Sequence, residues 1–277
     1  MRLATLCKAA SPEITSFNER DQTWTCPPGR CTQALVSFFG ELYLRSTRPF
    51  LSPEITAKEV AYLERCFTGL SLPGPVVDLG CGHGRHAAPL NISGPLKGRV
   101  VGLELDPYSL SQRAPGFPAV RGDLRALPFQ SGSLAGAYAW YSTLFAFSET
   151  EHRVILQETA RCLQPGALLV FQTVPYERLS EQPGAAFQRT LPDGSILEEE
   201  SHFDPDSGMD HGRRRLTLPD GRVLSGVYTI RYYPLAELRQ LLESTGLSTK
   251  WVHGSLDGEP LSSASTDLIV GAEKRHG

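Results

Sequence analysis

The apolar positions change texture twice along the chain. Residues 1–30 carry Pro12, Pro27 and Pro28 with little periodicity, which predicts an irregular arm. From about Thr32, the positions Leu35, Phe38, Phe39 and Leu42 follow the i, i+3, i+4, i+7 rule of an amphipathic helix that Pro49 must end. A second helix is expected from Ser52 as N-cap and Pro53 at the first helical position, through Val60, Leu63 and Phe67, to a stop at Gly69. After Pro75 the pattern becomes short continuous apolar runs: VVDLG (76–80), RVVGLEL (99–105), LAGAYAW (134–140) and ALLVFQTV (167–174). Parallel strands look like this when both faces are covered. Between the last two, Ser148 and Glu151 form a capping box, Ile155, Thr159, Cys162 and Leu163 give one helical face, and Pro165-Gly166 ends it. Strands alternating with helices predict right-handed crossovers and an open α/β sheet with helices on both sides.

From Tyr176 to Tyr233 the texture shifts again. The turn signals PDG (192–194), DPDSG (204–208) and PDG (219–221) divide it into β-rich pieces, so an inserted antiparallel meander is expected. A last helix, 234–245, precedes strands near 249–254 and 267–273.

Composition narrows the function classes. With 40% hydrophobic and 21% charged residues the chain is an ordinary globular one. The balance of 27 basic against 30 acidic residues, a net charge of -3, argues against a nucleic-acid-binding face. No apolar run approaches a membrane span, and the start MRLATLCKAAS is too short in apolar residues for a signal peptide, so a cytoplasmic protein is expected. Six cysteines at irregular spacing, without a CxxC pair, point to reduced thiols rather than a disulfide framework or structural zinc.

The chemistry concentrates in VVDLGCGHGRH. A strand ends at Asp78 and runs into Gly80, Gly82 and Gly84, where backbone can approach a ligand that side chains would block. A dinucleotide fingerprint would place its third glycine at position 85, and this chain has Arg85 there, which argues against a nicotinamide-dependent oxidoreductase. Glu104, at the end of the second strand, is placed to accept from both hydroxyls of a ribose. Asp123 in RGDLRALPF follows a third strand and suits an exocyclic adenine amine, with the Leu124 N–H for a ring nitrogen. Three acids at three successive strand ends fit one extended adenosine ligand.

With these motifs the chain resembles the class I S-adenosylmethionine-dependent methyltransferases, of the bacterial small-molecule type. The match runs over about residues 75–175, in VVDLGCGHGRH, VVGLELDP, GDLRALPFQSGSLAGAY and RCLQPGALLV, with looser similarity in the N-terminal helices and in IRYYPLAELRQLLESTGL. The resemblance implies a Rossmann-like seven-stranded sheet whose last strand is antiparallel. It implies S-adenosylmethionine along the carboxyl edge, with Asp78, Gly80, Gly82 and Gly84 near its methionine end, Glu104 on the ribose, Asp123 and Leu124 on the adenine, and Tyr141 lining the passage to the substrate. On this reading residues 1–70 are an arm and helical lid, 71–175 the cofactor-binding core, 176–233 an insert that caps the substrate, and 234–277 the completion of the core sheet.

The expected activity is methyl transfer to oxygen or nitrogen of a small molecule by in-line displacement, with positioning as the main device and no metal. The alternative is a protein that binds the cofactor without turnover. His202 in the meander is a candidate base, and Arg231, beside Tyr232 and Tyr233, a candidate for an anionic substrate group. His83, His86 and Cys81 are too close in one loop for a tetrahedral metal site. Tyr43 suits either a lid or core packing, and Arg213, Arg214 and Arg215 are read as a solvated strand or turn. The meander's open edge would let a second copy pair as a homodimer.

Overall fold

The computed structural model describes residues 16–18, 23–25 and 38–276. The rest of the expected arm, the 32–37 start of the first helix and Cys7, Cys26 and Cys31 lie outside the described residues. Within the arm, β1 (Ser16–Asn18) and β2 (Thr23–Thr25) pair antiparallel, which its aperiodic sequence did not announce. Helix α1 (Glu41–Thr47) gives way to a short 3-10 turn over Arg48–Phe50, where Pro49 cannot continue it. Helix α2 (Pro53–Cys66) starts as the sequence dictates, with the Ser52 hydroxyl accepting from the Ile55 N–H at 3.2 Å.

The central sheet begins with β3 (Val76–Leu79), and β4 (Val100–Glu104), β5 (Ala119–Arg121), β6 (Leu134–Ala139) and β7 (Leu163–Thr173) run parallel to it. Helices α3 (Ala87–Ile92), α4 (Pro107–Ser111) and α5 (Glu149–Cys162) make the crossovers. The capping box of Ser148 and Glu151 opens α5; the helix ends at Cys162, three residues before the Pro165-Gly166 pair, because β7 begins at Leu163. Then come α6 (Tyr176–Glu181) and a four-stranded antiparallel meander, β8 (Gly184–Thr190), β9 (Ile196–Asp204), β10 (Met209–Thr217) and β11 (Val223–Arg231). Helix α7 (Leu235–Ser244), β12 (Leu247–His253) and β13 (Leu268–Lys274) return to the first sheet, whose order is β12-β13-β7-β6-β3-β4-β5. Strand β13 runs antiparallel between β7 and β12, so the seven-stranded expectation holds.

Continuous apolar strands let both sheet faces pack. One face carries Leu79, Leu103, Leu134 and Phe171 against Ile155 and Leu156 of α5 and Leu238 and Leu242 of α7. The other sets Val76, Tyr138 and Val170 against Leu63, Phe67 and Leu90 from α2, α3 and the turn after α2. A smaller core joins Leu197 and Leu216 of the meander to Phe38 and Leu42. The insert is thus bolted to the N-terminal helix. No helix among the described residues is long and apolar enough to cross a membrane.

Candidate active site

A cleft open to solvent lies where β3, β4, β5 and β6 end. Asp78, Gly80, Gly82, Glu104, Asp123, Leu124 and Tyr141 all line it, together with Tyr43 and Phe39 from the N-terminal helix. Of the expected cofactor group only Gly84 lies behind this lining, packed beneath the loop. Gly80 has φ +74°, and a Cβ there would stand 2.4 Å from Thr143; at Gly84, φ +81°, it would strike the Phe117 ring at 2.1 Å. Gly82, φ +55°, has nothing within 4 Å of such a Cβ. The outer two glycines let the loop pack, and the middle one leaves open space beside backbone, the condition for a ligand's close approach.

Three of the carboxylates that line this cleft stand in different states. Asp78 is 3% exposed, its Oδ2 has no hydrogen-bond partner, and burial pushes its carboxyl up to about 7. The neighbouring Tyr138 hydroxyl, also buried, draws the Asp78 carboxyl down against that rise. Glu104 is preset by main chain: Oε2 accepts from the Gly82 N–H at 2.8 Å, and Oε1 accepts from the N–H groups of Leu105 and Asp106, each at 2.8 Å. Since two carboxylate oxygens offer about four sites, that leaves about one for a further donor. Asp123 is tied to Arg125, whose Nη2 donates to Oδ2 at 2.7 Å and whose backbone N–H donates to Oδ1 at 2.8 Å.

The wall opposite the glycine loop is a strained corner. Tyr141 and Ser142 both take left-handed conformations, φ 53° and 58°, and are held there by Gln172: its Oε1 accepts from the Tyr141 N–H at 2.9 Å and its carbonyl from the Ser142 N–H at 3.0 Å. The Tyr141 hydroxyl donates to Glu59 Oε1 at 2.7 Å, and the Arg85 guanidinium sits 5.3 Å from the centre of its ring. Glu59 is 4% exposed and also accepts from Trp140 Nε1 at 3.2 Å, from Arg85 Nη1, and bonds His86 Nε2 at 2.9 Å. Burial alone would raise its carboxyl; the hydrogen bonds and charges of His86 and Arg85 outweigh it and hold it at about 2. His83, by burial and then by Arg48, is lowered to about 4.

The cleft corrects several expectations. His202 is exposed on β9, paired across the strands with His211 and Gly184, and lines no part of the cleft. Arg231 is 9% exposed but paired with Glu149 at 3.1 Å and Glu237 at 3.0 Å, and lies over the Tyr233 ring; this arginine locks β11 to α5 and α7 instead of facing a substrate. Arg214 is not solvated with its two neighbours: it points inward, bonded to Glu199 and to the hydroxyls of Ser46 and Thr47. No described residue of the 176–233 insert lines the cleft; its core packs against Phe38 and Leu42 instead. The His83, His86 and Cys81 loop forms no metal-binding group, and none of three or more such side chains occurs among the described residues.

Sequence reasoning missed Glu59. Its one signal was an acid on the apolar face of α2, one turn before Tyr62 and Leu63, where a buried carboxylate demands donors.

Residues 76–166 match the family described as Methyltransferase domain. Over this stretch the chain is similar to methyltransferase domains. It is 27% identical over 213 residues to the cypemycin N-terminal methyltransferase of a Streptomyces species, spanning 72% of this chain and 83% of that one. Its fold is similar to the CcbJ methyltransferase from Streptomyces caelestis, with a TM-score of 0.71 at 19% identity over 87% of this chain and 99% of that one. An S-adenosylmethionine-dependent methyltransferase from Clostridium acetobutylicum also gives a TM-score of 0.71, at 13% identity over 85% and 97% of the two chains.

Proposed function

We propose that the chain transfers the methyl group of S-adenosylmethionine to an oxygen or nitrogen of a small-molecule acceptor by in-line displacement. The observation that carries this reading is the Glu104 carboxylate, preset by three backbone N–H groups beside a glycine that opens onto the cleft. Glu104 receives a ribose hydroxyl; Asp123, already steadied by Arg125, and the Leu124 N–H take the adenine; and Asp78 with Gly80 and Gly82 borders the methionine end. A buried carboxyl with an orphaned oxygen suits a partner carrying positive charge, which would draw it into the ionised state. When bound, the cofactor supplies a methyl group made electrophilic by its sulfonium.

The protein's part is then positioning and exclusion of water. Tyr141, more than a third exposed to the cleft, directs the acceptor toward the methyl group, while Tyr43 and Phe39 narrow the mouth. The likeness in fold to an amino pentose methyltransferase from Micromonospora echinaspora supports an acceptor of small size. Calorimetry with S-adenosylmethionine and its demethylated product tests the binding half: both should bind, and a folded protein that binds neither defeats the reading. Labelled methyl appearing on a compound of a metabolite extract tests the transfer half; stoichiometric binding with no transfer would instead make the chain a cofactor-binding protein.

A further inference from the structure

Part of the cleft wall also opens onto a second hollow. Arg48, Leu51, His83 and Arg85 line both the cleft and an open groove along α2. The groove is mostly apolar, with Ala57, Val60 and Pro89 along it. Its one acid, Glu64, lies two turns past Thr56 on the helix, about 12 Å at 1.5 Å per residue. At the shared wall the charges do not balance. Arg85 is nine-tenths buried; its Nη1 donates to Glu59 and to Thr56 Oγ1 at 2.9 Å, while its Nη2 has no partner. The Arg48 side chain forms no hydrogen bond or ion pair among the described residues. Glu59 answers one of the two guanidinium charges; the other, and the Arg85 Nη2 donors, remain open to a ligand. Burial first, then Arg48 and Arg85, hold His83 down at about 4, so near neutral pH it adds no charge of its own.

A guanidinium with free N–H groups is matched by a carboxylate or phosphate, whose oxygens take the charge and the hydrogen bonds together. The Arg85 guanidinium also lies 5.3 Å from the centre of the Tyr141 ring, which puts this wall on the acceptor's side of the cleft. Resting on the methyl-transfer reading above, we infer that Arg48 and Arg85 form an oxyanion subsite, and that the methyl acceptor carries a carboxylate or phosphate held there while an apolar portion runs into the α2 groove. The anionic role expected of Arg231 thus falls to two arginines that do line the cleft. They act on position: fixing the acceptor's anionic end limits where its nucleophile can reach.

Calorimetry on the full-length protein saturated with the demethylated cofactor tests the subsite, because the cofactor's own carboxylate is then already in place. Phenylacetate and phenyl phosphate serve as anionic probes and phenylacetamide as the neutral one. The anions are expected to bind about tenfold or more tightly than the amide, and biphenyl-4-acetate more tightly than phenylacetate. Arg48→Ala should weaken the anions by about tenfold to a hundredfold, the scale of one charge-assisted pair, and leave the amide unchanged. Arg85→Lys, which keeps an ammonium for Glu59, should do the same. Ala57→Trp should remove the advantage of biphenyl-4-acetate. Equal binding of anions and amide, no binding of either anion, or anions that bind only without the demethylated cofactor would each overturn the inference; the last would give the arginines to the cofactor's carboxylate. Should Arg85→Lys fail to fold, Arg48→Ala, at an exposed position, decides alone. With methyl-labelled S-adenosylmethionine and a metabolite extract, the labelled product should be retained by an anion exchanger, and a product that passes through overturns the inference. Absence of any labelled product from protein that binds the cofactor would instead strike the methyl-transfer reading, while the calorimetry still judges the subsite.

Discussion

A half-buried acid of the meander and a buried acid of the central sheet are treated in opposite ways. In the meander, Glu199 of β9 is met by Arg214 at 2.7 Å and by the Tyr228 hydroxyl at 3.1 Å, so its charge is answered inside the fold. In the central sheet, Asp78 of β3 keeps one oxygen without any partner, at the edge of the cleft. A buried acid whose donors are all supplied is part of the scaffold. One left short beside a cleft has room for a donor that arrives. The same contrast separates Arg214, which faces α1, from Arg213 and Arg215, which pair with Glu200 and Glu198 on the open face.

The sharpest way to break this comparison is Arg214→Ala. It leaves Glu199 uncompensated, and since breaking a buried pair costs about 3–5 kcal/mol, urea unfolding should show a loss near the lower end of that range. A loss under about 1 kcal/mol would mean that the meander does not depend on this pair. Next comes Glu104→Ala. Removing charge-assisted hydrogen bonds of about 1.5–3 kcal/mol should weaken S-adenosylmethionine binding by calorimetry. Unaltered affinity would take the ribose role from Glu104.

Asp78 gives a pH signature. Its carboxyl, raised to about 7 from 3.8, holds a proton in the fold that the unfolded chain has already lost between these values. The stability it contributes is therefore present below about pH 4 and is lost as pH rises toward 7, with a slope of at most about 1.4 kcal/mol per pH unit. Asp78→Asn should flatten that part of the stability curve, and an identical slope in the variant would assign it elsewhere. The smallest effect is expected from Arg213→Ala, where an exposed pair should change unfolding by less than about 0.5 kcal/mol. If it equals Arg214→Ala, the inward and outward faces of β10 do not differ as argued.

Legibility followed the range of the forces involved. Gly80, Gly84 and Glu104 could be read because a strand end that must turn under its neighbours requires positive φ and leaves main-chain donors beside it. The caps of α2 and α5 were readable for the same local reason. His202 and Arg231 were misjudged because alternation along a strand says that two faces exist without saying which one meets the cleft. Glu59 stayed hidden because its bonds reach Arg85 and Tyr141 over 26 and 82 residues, a pairing that no periodicity encodes. The insert was recognised as a meander, yet its attachment to α1 in place of the cleft depended on how Leu197 and Leu216 met Phe38 and Leu42.

By itself, then, the amino-acid order determined the alternating βα core, the glycine loop and the acids at the strand ends, since backbone geometry and burial period act between near neighbours. Which acid is saturated and which is left open, which way the Tyr141 proton points, and which face of the meander looks inward were decided only when distant segments packed together. Hydrogen-bond partners and burial are properties of that packing, and they are what turns a set of plausible residues into a site.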